Sequence, residues 1–155
     1  MISPRRFLAC LCAWLLATAA GAAQAASADD ARNRTRYLLH CGGCHQPDGS
    51  GRVENGIPRM KDQVGHFLRL PEGRAFLVQV PGTAQSSLGD ADTAAMLNWL
   101  VVAISRAEVP ADFVPYTADE VTRLRAVPLS DAPGTRRRVV DKLRALGFTM
   151  DAPTP

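Results

Sequence analysis

Cysteine is scarce in this chain of 155 residues, and the scarcity excludes one class of protein at once. Of the four cysteines, Cys10 and Cys12 lie in an N-terminal segment that we expect to be removed, which leaves Cys41 and Cys44. An exported domain with only two cysteines, three positions apart, is not built as a disulfide-stapled scaffold.

An excess of charge of one sign is also missing. The whole sequence has 18 basic and 15 acidic residues. Arg5 and Arg6 belong to the segment expected to be removed, so the mature chain would carry 16 basic residues against 15 acidic ones. This near balance gives no basis for a nucleic-acid-binding surface.

Residues 1–25 have the pattern of a signal peptide. The two arginines form a basic n-region, and the apolar stretch 7–20 is too short and too rich in alanine for a membrane span. Ala23 and Ala25 supply the small residues that a signal peptidase reads, so we expect cleavage after Ala25 and a periplasmic mature protein. An uncleaved N-terminal anchor is the alternative. Nothing in the mature chain resembles a membrane span.

No stretch alternates apolar and polar residues over the length of a strand, so the sequence predicts a nearly all-α protein. The clearest helical period runs over 90–105, where we expect Asp90 to be the N-cap. A first helix is predicted over 28–44, with Ser27 as its N-cap.

Shorter helices are predicted in the rest of the chain. Two precede the strong helix, at 62–70 and 73–80, and Pro81-Gly82 is expected to stop the second of them. Two follow it, at 118–126 and 133–146, with Thr117 and Asp131 as their N-caps.

The segment Cys41-Gly42-Gly43-Cys44-His45 is the candidate site. Residues three apart on a helical turn lie on one face, so the two thiols can reach the two vinyl groups of one haem. His45 then falls beneath the iron and offers an imidazole nitrogen as the proximal ligand.

The same segment has three competing interpretations. A thioredoxin-like dithiol needs a strand–helix context that the sequence lacks. A zinc site needs two more ligands, and only His40 and His66 are left to supply them. The third alternative is an incidental local disulfide.

These residues resemble the class I c-type cytochromes over about 29–106. The resemblance rests on the segments YLLHCGGCHQPDGSG, GIPRM and DADTAAMLNWL. It implies one covalent haem c in a small helical domain, here 26–107, with the first and last helices packed through Tyr37 and Trp99. It also implies that the carbonyl of Pro58 orients the His45 imidazole. The alternative is that Pro58 only stiffens its loop.

The sequence departs from the family on the other side of the iron. The family usually supplies a distal Met from the loop before the last helix, but residues 81–88 contain none. Met60 is the leading candidate for the sixth ligand, with His66 and an open iron position as alternatives. Met96 is assigned to the core instead.

The predicted lining of the haem pocket is apolar: Leu39, Ile57, Val64, Phe67, Leu68, Phe76, Leu77, Leu97 and Leu100. Residues 108–155 form a helical C-terminal extension beyond the minimal fold. Val139, Val140, Leu143 and Leu146 share one face of its last helix, and the basic residues are assigned elsewhere: Arg136, Arg137, Arg138, Lys142 and Arg144. The extension is interpreted as a strap over the haem domain or as a docking surface for a partner enzyme.

These expectations indicate an electron-transfer protein and not an enzyme. The protein would act as a soluble carrier or as the haem subunit of an oxidoreductase, exchanging electrons with a periplasmic dehydrogenase, an oxidase or another cytochrome. The alternative is a haem enzyme or small-ligand sensor with an open distal site. We also expect the haem-free chain to fold poorly, because about 80 residues bury little apolar surface without the cofactor.

Overall fold

The structure is a computed structural model, and it describes residues 27–151. The predicted signal peptide lies outside the described residues. Contacts divide the chain into two units, Met1–Arg32 and Asn33–Pro155. Of the first unit only residues 27–32 are described, and they are helical. The candidate site lies within the second unit.

Regular structure in residues 27–151 is helical, which confirms the all-α prediction. The helices are α1 (27–40), α2 (Gly42–His45), α3 (Pro71–Gln79), α4 (Pro81–Ala84), α5 (Asp90–Ser105), α6 (Ala118–Arg125) and α7 (Ala132–Ala145). Three 3-10 turns occupy Val53–Asn55, Val64–Arg69 and Arg106–Glu108. The described residues contain no strand beyond an isolated bridge between Arg52 and Ile57. None of these helices is long and apolar enough to cross a membrane.

Two of the three predicted caps beyond α1 are confirmed. The Thr117 hydroxyl accepts the Glu120 amide at the start of α6, and the Asp131 carboxylate accepts the Gly134 amide at the start of α7. The prediction that Asp90 caps α5 is wrong, because Gly89 is the N-cap. The Asp90 carboxylate is engaged instead by side chains of α6, so it does not turn back onto its own helix.

The first predicted helix is wrong at its C-terminal end. The helix stops at residue 40, Cys41 has φ −128° and ψ −35°, and a separate single turn, α2, follows. The break lies at Cys41, whose backbone departs from helical values, and Gly42 and Gly43 fall inside the turn that follows it. The interruption places the cysteines and His45 on a short turn of their own.

Two other elements differ from their predictions. The segment predicted as a helix over 62–70 is a 3-10 turn, Val64–Arg69. Pro81 ends α3 as expected, but it also begins α4. A proline fits the first turn of a helix, because the N–H groups there have no partner within the helix.

The apolar core has two clusters. One joins α3, the Val64–Arg69 turn and α7, and consists of Val64, Phe67, Phe76, Leu77, Val101, Val139, Val140, Leu143 and Met150. The other joins α1, α5 and α6, and consists of Tyr37, Val78, Ala94, Met96, Leu97, Leu100, Tyr116 and Val121. The extension therefore contributes buried residues to both clusters, as its interpretation as a strap expects.

Polar contacts also hold the extension in place. The Arg74 guanidinium donates two hydrogen bonds to the Glu120 carboxylate and lies over the ring of Tyr116. The Asn98 side chain pairs with both the N–H and the carbonyl of Tyr116. Arg125 of α6 donates to the carbonyl of Thr83 in α4 and to the carbonyl of Leu88 in the loop between α4 and α5.

Candidate functional site

A cavity of about 330 Å³ lies beside α2 and contains the predicted site residues. Cys41, Cys44, His45 and Met60 all contribute to its lining. The apolar part of the wall comes from α3, α5 and the segments before them: Ile57, Val64, Phe67, Phe76, Leu77, Val80, Met96, Leu97 and Leu100. A mostly apolar cavity with a few reactive groups at one place is the usual form of a cofactor site.

Seven of the nine predicted lining residues face this cavity, and two do not. Leu39 is 77% exposed, because it lies on the outer side of α1. Leu68 packs behind the cavity, where it contacts both core clusters. Helical periodicity identifies an apolar face but does not say which apolar side chain reaches an internal space.

The two cysteines differ in their surroundings. Cys41 is half-buried, and burial, followed by the nearby Cys44, raises the pKa of its thiol. Cys44 is exposed at the mouth of the cavity. The two are not joined to each other by a disulfide. The turn α2 therefore presents two thiols along one edge of the cavity, one deeper than the other, which fits two attachment points on a flat ligand.

His45 is held by a backbone carbonyl. Its Nδ1 lies 3.2 Å from the Pro58 carbonyl oxygen, which confirms the contact expected for Pro58. A carbonyl can only accept, so Nδ1 carries the proton and Nε2 keeps its lone pair for a metal. Burial lowers the pKa of His45, although the bond to Pro58 opposes this effect. The neutral imidazole is the form that binds iron.

The loop after α2 fits closely against this carbonyl. The Gly51 amide donates to the His45 carbonyl at 2.9 Å, and Gly51 has φ +71°. A Cβ added at this position would lie 2.6 Å from the Pro58 oxygen. Gly49 lies in the same loop, and its carbonyl accepts the Met60 amide at 2.8 Å. Gly49 thus anchors the backbone of Met60, and the lack of a side chain at Gly51 leaves space for the Pro58 carbonyl.

The candidates for a distal ligand separate in the structure. Met60 lines the cavity, whereas His66 does not, and the His66 ring instead stacks on Phe148 with centroids 5.0 Å apart. The geometry therefore favours Met60 over His66 as the distal ligand, and the assignment stays a prediction. Met96 is 2% exposed, which confirms its assignment to the core, and it also faces the cavity. The contributions of the loop after α3 come from Val80, Gly82 and Thr83, without a His, Cys or Met.

Three charged or titratable residues of the lining were not predicted. His40 lies exposed at the mouth, and Arg59 lines the wall while pairing with Asp151 at 3.0 Å. Arg136 also lines the cavity and is only 8% exposed, so its assignment to the solvated basic side of α7 is wrong. The signal was present in the sequence: Arg136 lies three, four and seven residues before Val139, Val140 and Leu143, which places it on the apolar face.

The donor set fits a haem better than a bare metal ion. The described residues contain no group of three or more His, Cys, Asp or Glu side chains that could hold a metal ion. They do contain a mostly apolar cavity with two thiols at one edge and one oriented imidazole. This combination defines the class of small helical proteins that hold a flat, apolar cofactor through thioether bonds.

Comparison with known proteins identifies the family. No protein-family model matches the chain. A cytochrome c-552 of Thermus thermophilus is 30% identical over 131 residues, covering 73% of this chain and 95% of the relative. A second cytochrome c-552 of that species is 29% identical over 131 residues, covering 73% of this chain and 84% of the relative.

The chain therefore belongs to the class I c-type cytochrome family. Membership implies haem c as the cofactor and electron transfer, not catalysis, as the activity. The contact between Tyr37 and Trp99, with ring centroids 5.9 Å apart, is the one that this resemblance predicted between the first and last helices of the haem domain.

Proposed function

We propose that this protein is an exported monohaem cytochrome that carries single electrons, either as a soluble carrier or as the haem subunit of an oxidoreductase. The bond from His45 to the Pro58 carbonyl, in the same cavity wall as Cys41 and Cys44, carries the proposal. A thiol pair alone has several uses. A thiol pair beside an imidazole already oriented for a metal has far fewer.

Each of these residues has a defined part. The thiols of Cys41 and Cys44 would hold the haem edge at α2 through two thioether bonds. Nε2 of His45 would bind the iron, and the Pro58 carbonyl keeps the proton on Nδ1 and fixes the orientation of the ring. The haem supplies a one-electron redox centre when bound. The apolar wall keeps water from the iron, which favours outer-sphere electron transfer.

We propose Met60 as the distal ligand. It lines the cavity, its backbone is anchored to Gly49, and its thioether is a common sixth ligand of electron-carrying haems. Met96 faces the same cavity from α5 and serves as the matched comparison.

Export and partners follow from the sequence. We propose that residues 1–25 are a signal peptide removed after Ala25, that 26–107 form the cytochrome domain and that 108–155 form its extension. The expected partners are a periplasmic dehydrogenase, an oxidase or another cytochrome. N-terminal sequencing of the mature protein tests the cleavage site: a sequence beginning at Ala26 supports it, and an intact Met1 contradicts it.

Covalent attachment is tested by haem staining of the denatured protein. Thioether bonds survive denaturation, so the band of the unmodified protein should stain and that of the Cys41→Ser/Cys44→Ser variant should not. A band of the unmodified protein that fails to stain, from cells that mature other c-type cytochromes, would contradict the proposal.

The distal ligand is tested by the ferric absorption spectrum of Met60→Leu beside Met96→Leu. We expect the sulfur-to-iron charge-transfer band in the unmodified protein and in Met96→Leu, and its loss in Met60→Leu. Retention of the band in Met60→Leu, with loss in Met96→Leu, would transfer the role to Met96.

The second candidate function is a haem enzyme or ligand sensor with an open iron. The segment after α3, where the family usually supplies the distal Met, contributes only Val80, Gly82 and Thr83 to the cavity lining, and this favours the open site. Carbon monoxide separates the two functions. Slow or negligible binding to the ferrous protein at neutral pH supports the carrier, whereas rapid binding, with no charge-transfer band in the ferric spectrum, supports the open site.

A further inference from the structure

Arg136 is a buried cation in the cavity wall. It is 8% exposed, and its Nη1 has no hydrogen-bond partner among the described residues. Burial lowers the pKa of its guanidinium, as does the neighbouring Arg144, while Asp151 opposes them. A buried guanidinium nitrogen without a hydrogen-bond partner is costly, so Nη1 points to an acceptor that occupies this position when the cavity is filled.

The surroundings of Arg136 do not supply that anion. Among the described residues that line the cavity, none is acidic and two are arginines, Arg136 and Arg59. Asp151 is the nearest candidate, but its carboxylate pairs with Arg59 at 3.0 Å. Position 136 therefore contributes positive charge that Asp151 offsets only in part, because that carboxylate already pairs with Arg59.

Neither a surface role nor a purely apolar role accounts for this side chain. The burial of Arg136 excludes a surface role. A purely apolar role, in which only the aliphatic stem packs, would leave the buried Nη1 without a hydrogen-bond partner. The face of α7 that carries Arg136 also carries Val139, Val140 and Leu143, each at most 1% exposed. The helix therefore holds the guanidinium toward the interior, although exposed positions lie immediately beside it at Arg137 and Arg138.

We propose that the guanidinium of Arg136 binds a propionate carboxylate of the haem. The inference rests on the proposed function, because it takes the haem as the occupant of the cavity. Haem carries two carboxylates at the edge opposite its vinyl groups, and the vinyl edge is assigned to α2. Among the described lining residues none is acidic, and Arg136 is the one guanidinium that forms no ion pair with a described residue, so this part of the wall is complementary in charge to a propionate. Arginine forms paired hydrogen bonds with carboxylates, which suits this role.

The proposal gives the C-terminal extension a direct part in the site. Arg136 belongs to α7, so residues beyond the cytochrome domain would hold the cofactor as well as cover it. Arg136 is in this sense a positioning residue: it touches the haem edge and sets the ionisation of one propionate, but it does not bind the iron.

The test measures the midpoint potential of the holoprotein against pH in Arg136→Gln, Arg137→Gln and Arg136→Lys. Arg137 is the matched control, since it is exposed and next to Arg136 on α7. All variants keep Arg59, Arg144, Asp151 and the exposed His40, so differences among them do not arise from those groups.

We expect Arg136→Gln to raise the pKa of one propionate by about 1–3, the range in which a neighbouring cation ordinarily lowers a carboxyl pKa. The midpoint potential of Arg136→Gln should then fall as pH rises through the propionate pKa, because an ionised carboxylate favours ferric iron. The profiles of Arg137→Gln and the unmodified protein should have the same shape. Arg136→Lys keeps the charge but cannot make the paired bonds, so it should show a smaller shift in the same direction as Arg136→Gln. Redox-difference infrared spectra should show a protonated carboxyl band in Arg136→Gln alone.

Two results would overturn the proposal. Parallel potential profiles for Arg136→Gln and Arg137→Gln would mean that Arg136 has no carboxylate partner on the haem. An unchanged profile with weakened binding of azide or cyanide to the ferric iron would assign Arg136 to an iron-bound anion instead.

If Arg136→Gln does not accumulate, Arg136→Lys decides, because a lysine cannot make the paired bonds: a smaller shift in the same direction supports the proposal, and an unchanged profile contradicts it. Failure of haem staining would contradict the proposed function itself, which keeps the two failures distinct.

Discussion

Individual side chains of this site are oriented by backbone carbonyls. The His45 imidazole donates to the carbonyl of Pro58, and the buried Tyr37 hydroxyl donates to that of Gln46 at 2.6 Å. Both acceptors lie in the loop segment that follows α2. The position of the candidate ligand and the packing of α1 therefore depend on the same short stretch of backbone.

Tyr37 gives a prediction at alkaline pH. Burial raises the pKa of its hydroxyl to about 12 from the ordinary value of 10.0. The folded state thus holds this proton more tightly than the unfolded chain does. The resulting stabilisation is complete below pH 10 and is lost as pH rises through the folded pKa. We expect the free energy of unfolding to fall between pH 10 and 12 by on the order of 2 kcal/mol more in the unmodified holoprotein than in Tyr37→Phe.

The measurement is urea unfolding at a series of pH values. Phenylalanine keeps the ring beside Trp99, so packing is preserved while the ionisation is removed. Tyr116, whose pKa burial also raises, is present in both proteins and cancels in the comparison. Parallel curves for the two proteins above pH 10 would contradict the prediction.

At the scale of elements, the loop before α5 depends on one residue of α6. Arg125 donates to the Asp90 carboxylate, to the Ser86 and Thr93 hydroxyls and to two backbone carbonyls. This loop is the place where the family usually supplies a methionine. In this chain the loop lacks it and is tied to the extension.

Arg125→Met should therefore loosen the loop. It leaves several acceptors unsatisfied at a side chain that is 17% exposed. We expect a loss of about 2–3 kcal/mol in the free energy of unfolding of the holoprotein, measured with urea. Arg123→Met, at an exposed position on the same helix, should change it by less than about 0.5 kcal/mol. Equal effects of the two substitutions would show that the contacts of Arg125 carry no special weight.

How far the sequence predicts an element depends on the distance over which its determinants act. The starts of α6 and α7 follow from capping residues within the same turn, so Thr117 and Asp131 were predicted correctly. Asp90 was not, since Arg125 engages it from 35 positions along the chain. The break after residue 40 was missed because the apolar face of the first helix was extended through Cys41, where the backbone leaves the helical conformation. Arg136 was missed because a run of three arginines was interpreted as one surface, although the helical period separates the first from the other two.

At the scale of the whole molecule, the candidate cofactor cavity lies where the two core clusters come together. Phe67, Phe76 and Leu77 of the first cluster and Met96, Leu97 and Leu100 of the second all face it. These side chains would pack on the haem when it is bound. The cofactor is thus expected to be part of the core as well as the redox centre.

The haem-free chain should consequently lack a cooperative fold. We expect Cys41→Ser/Cys44→Ser, purified without haem, to lose much of the helical circular dichroism of the holoprotein and to unfold over a broad range of urea. His40→Gln, an exposed position at the cavity mouth, should retain haem and a sharp transition. A sharp transition in the haem-free variant would contradict this prediction and would mean that the extension suffices to complete the core.

The glycine at position 51 has a consequence for how this protein can change. Its positive φ and its closeness to the Pro58 oxygen leave no space for any side chain. A replacement there would push away the carbonyl that His45 donates to, and a weaker bond at Nδ1 makes the imidazole a poorer electron donor. A substitution at this loop position, which does not line the cavity, would therefore change the redox midpoint potential even in a chain that still folds. Selection on electron flow, and not on folding alone, would then preserve this position.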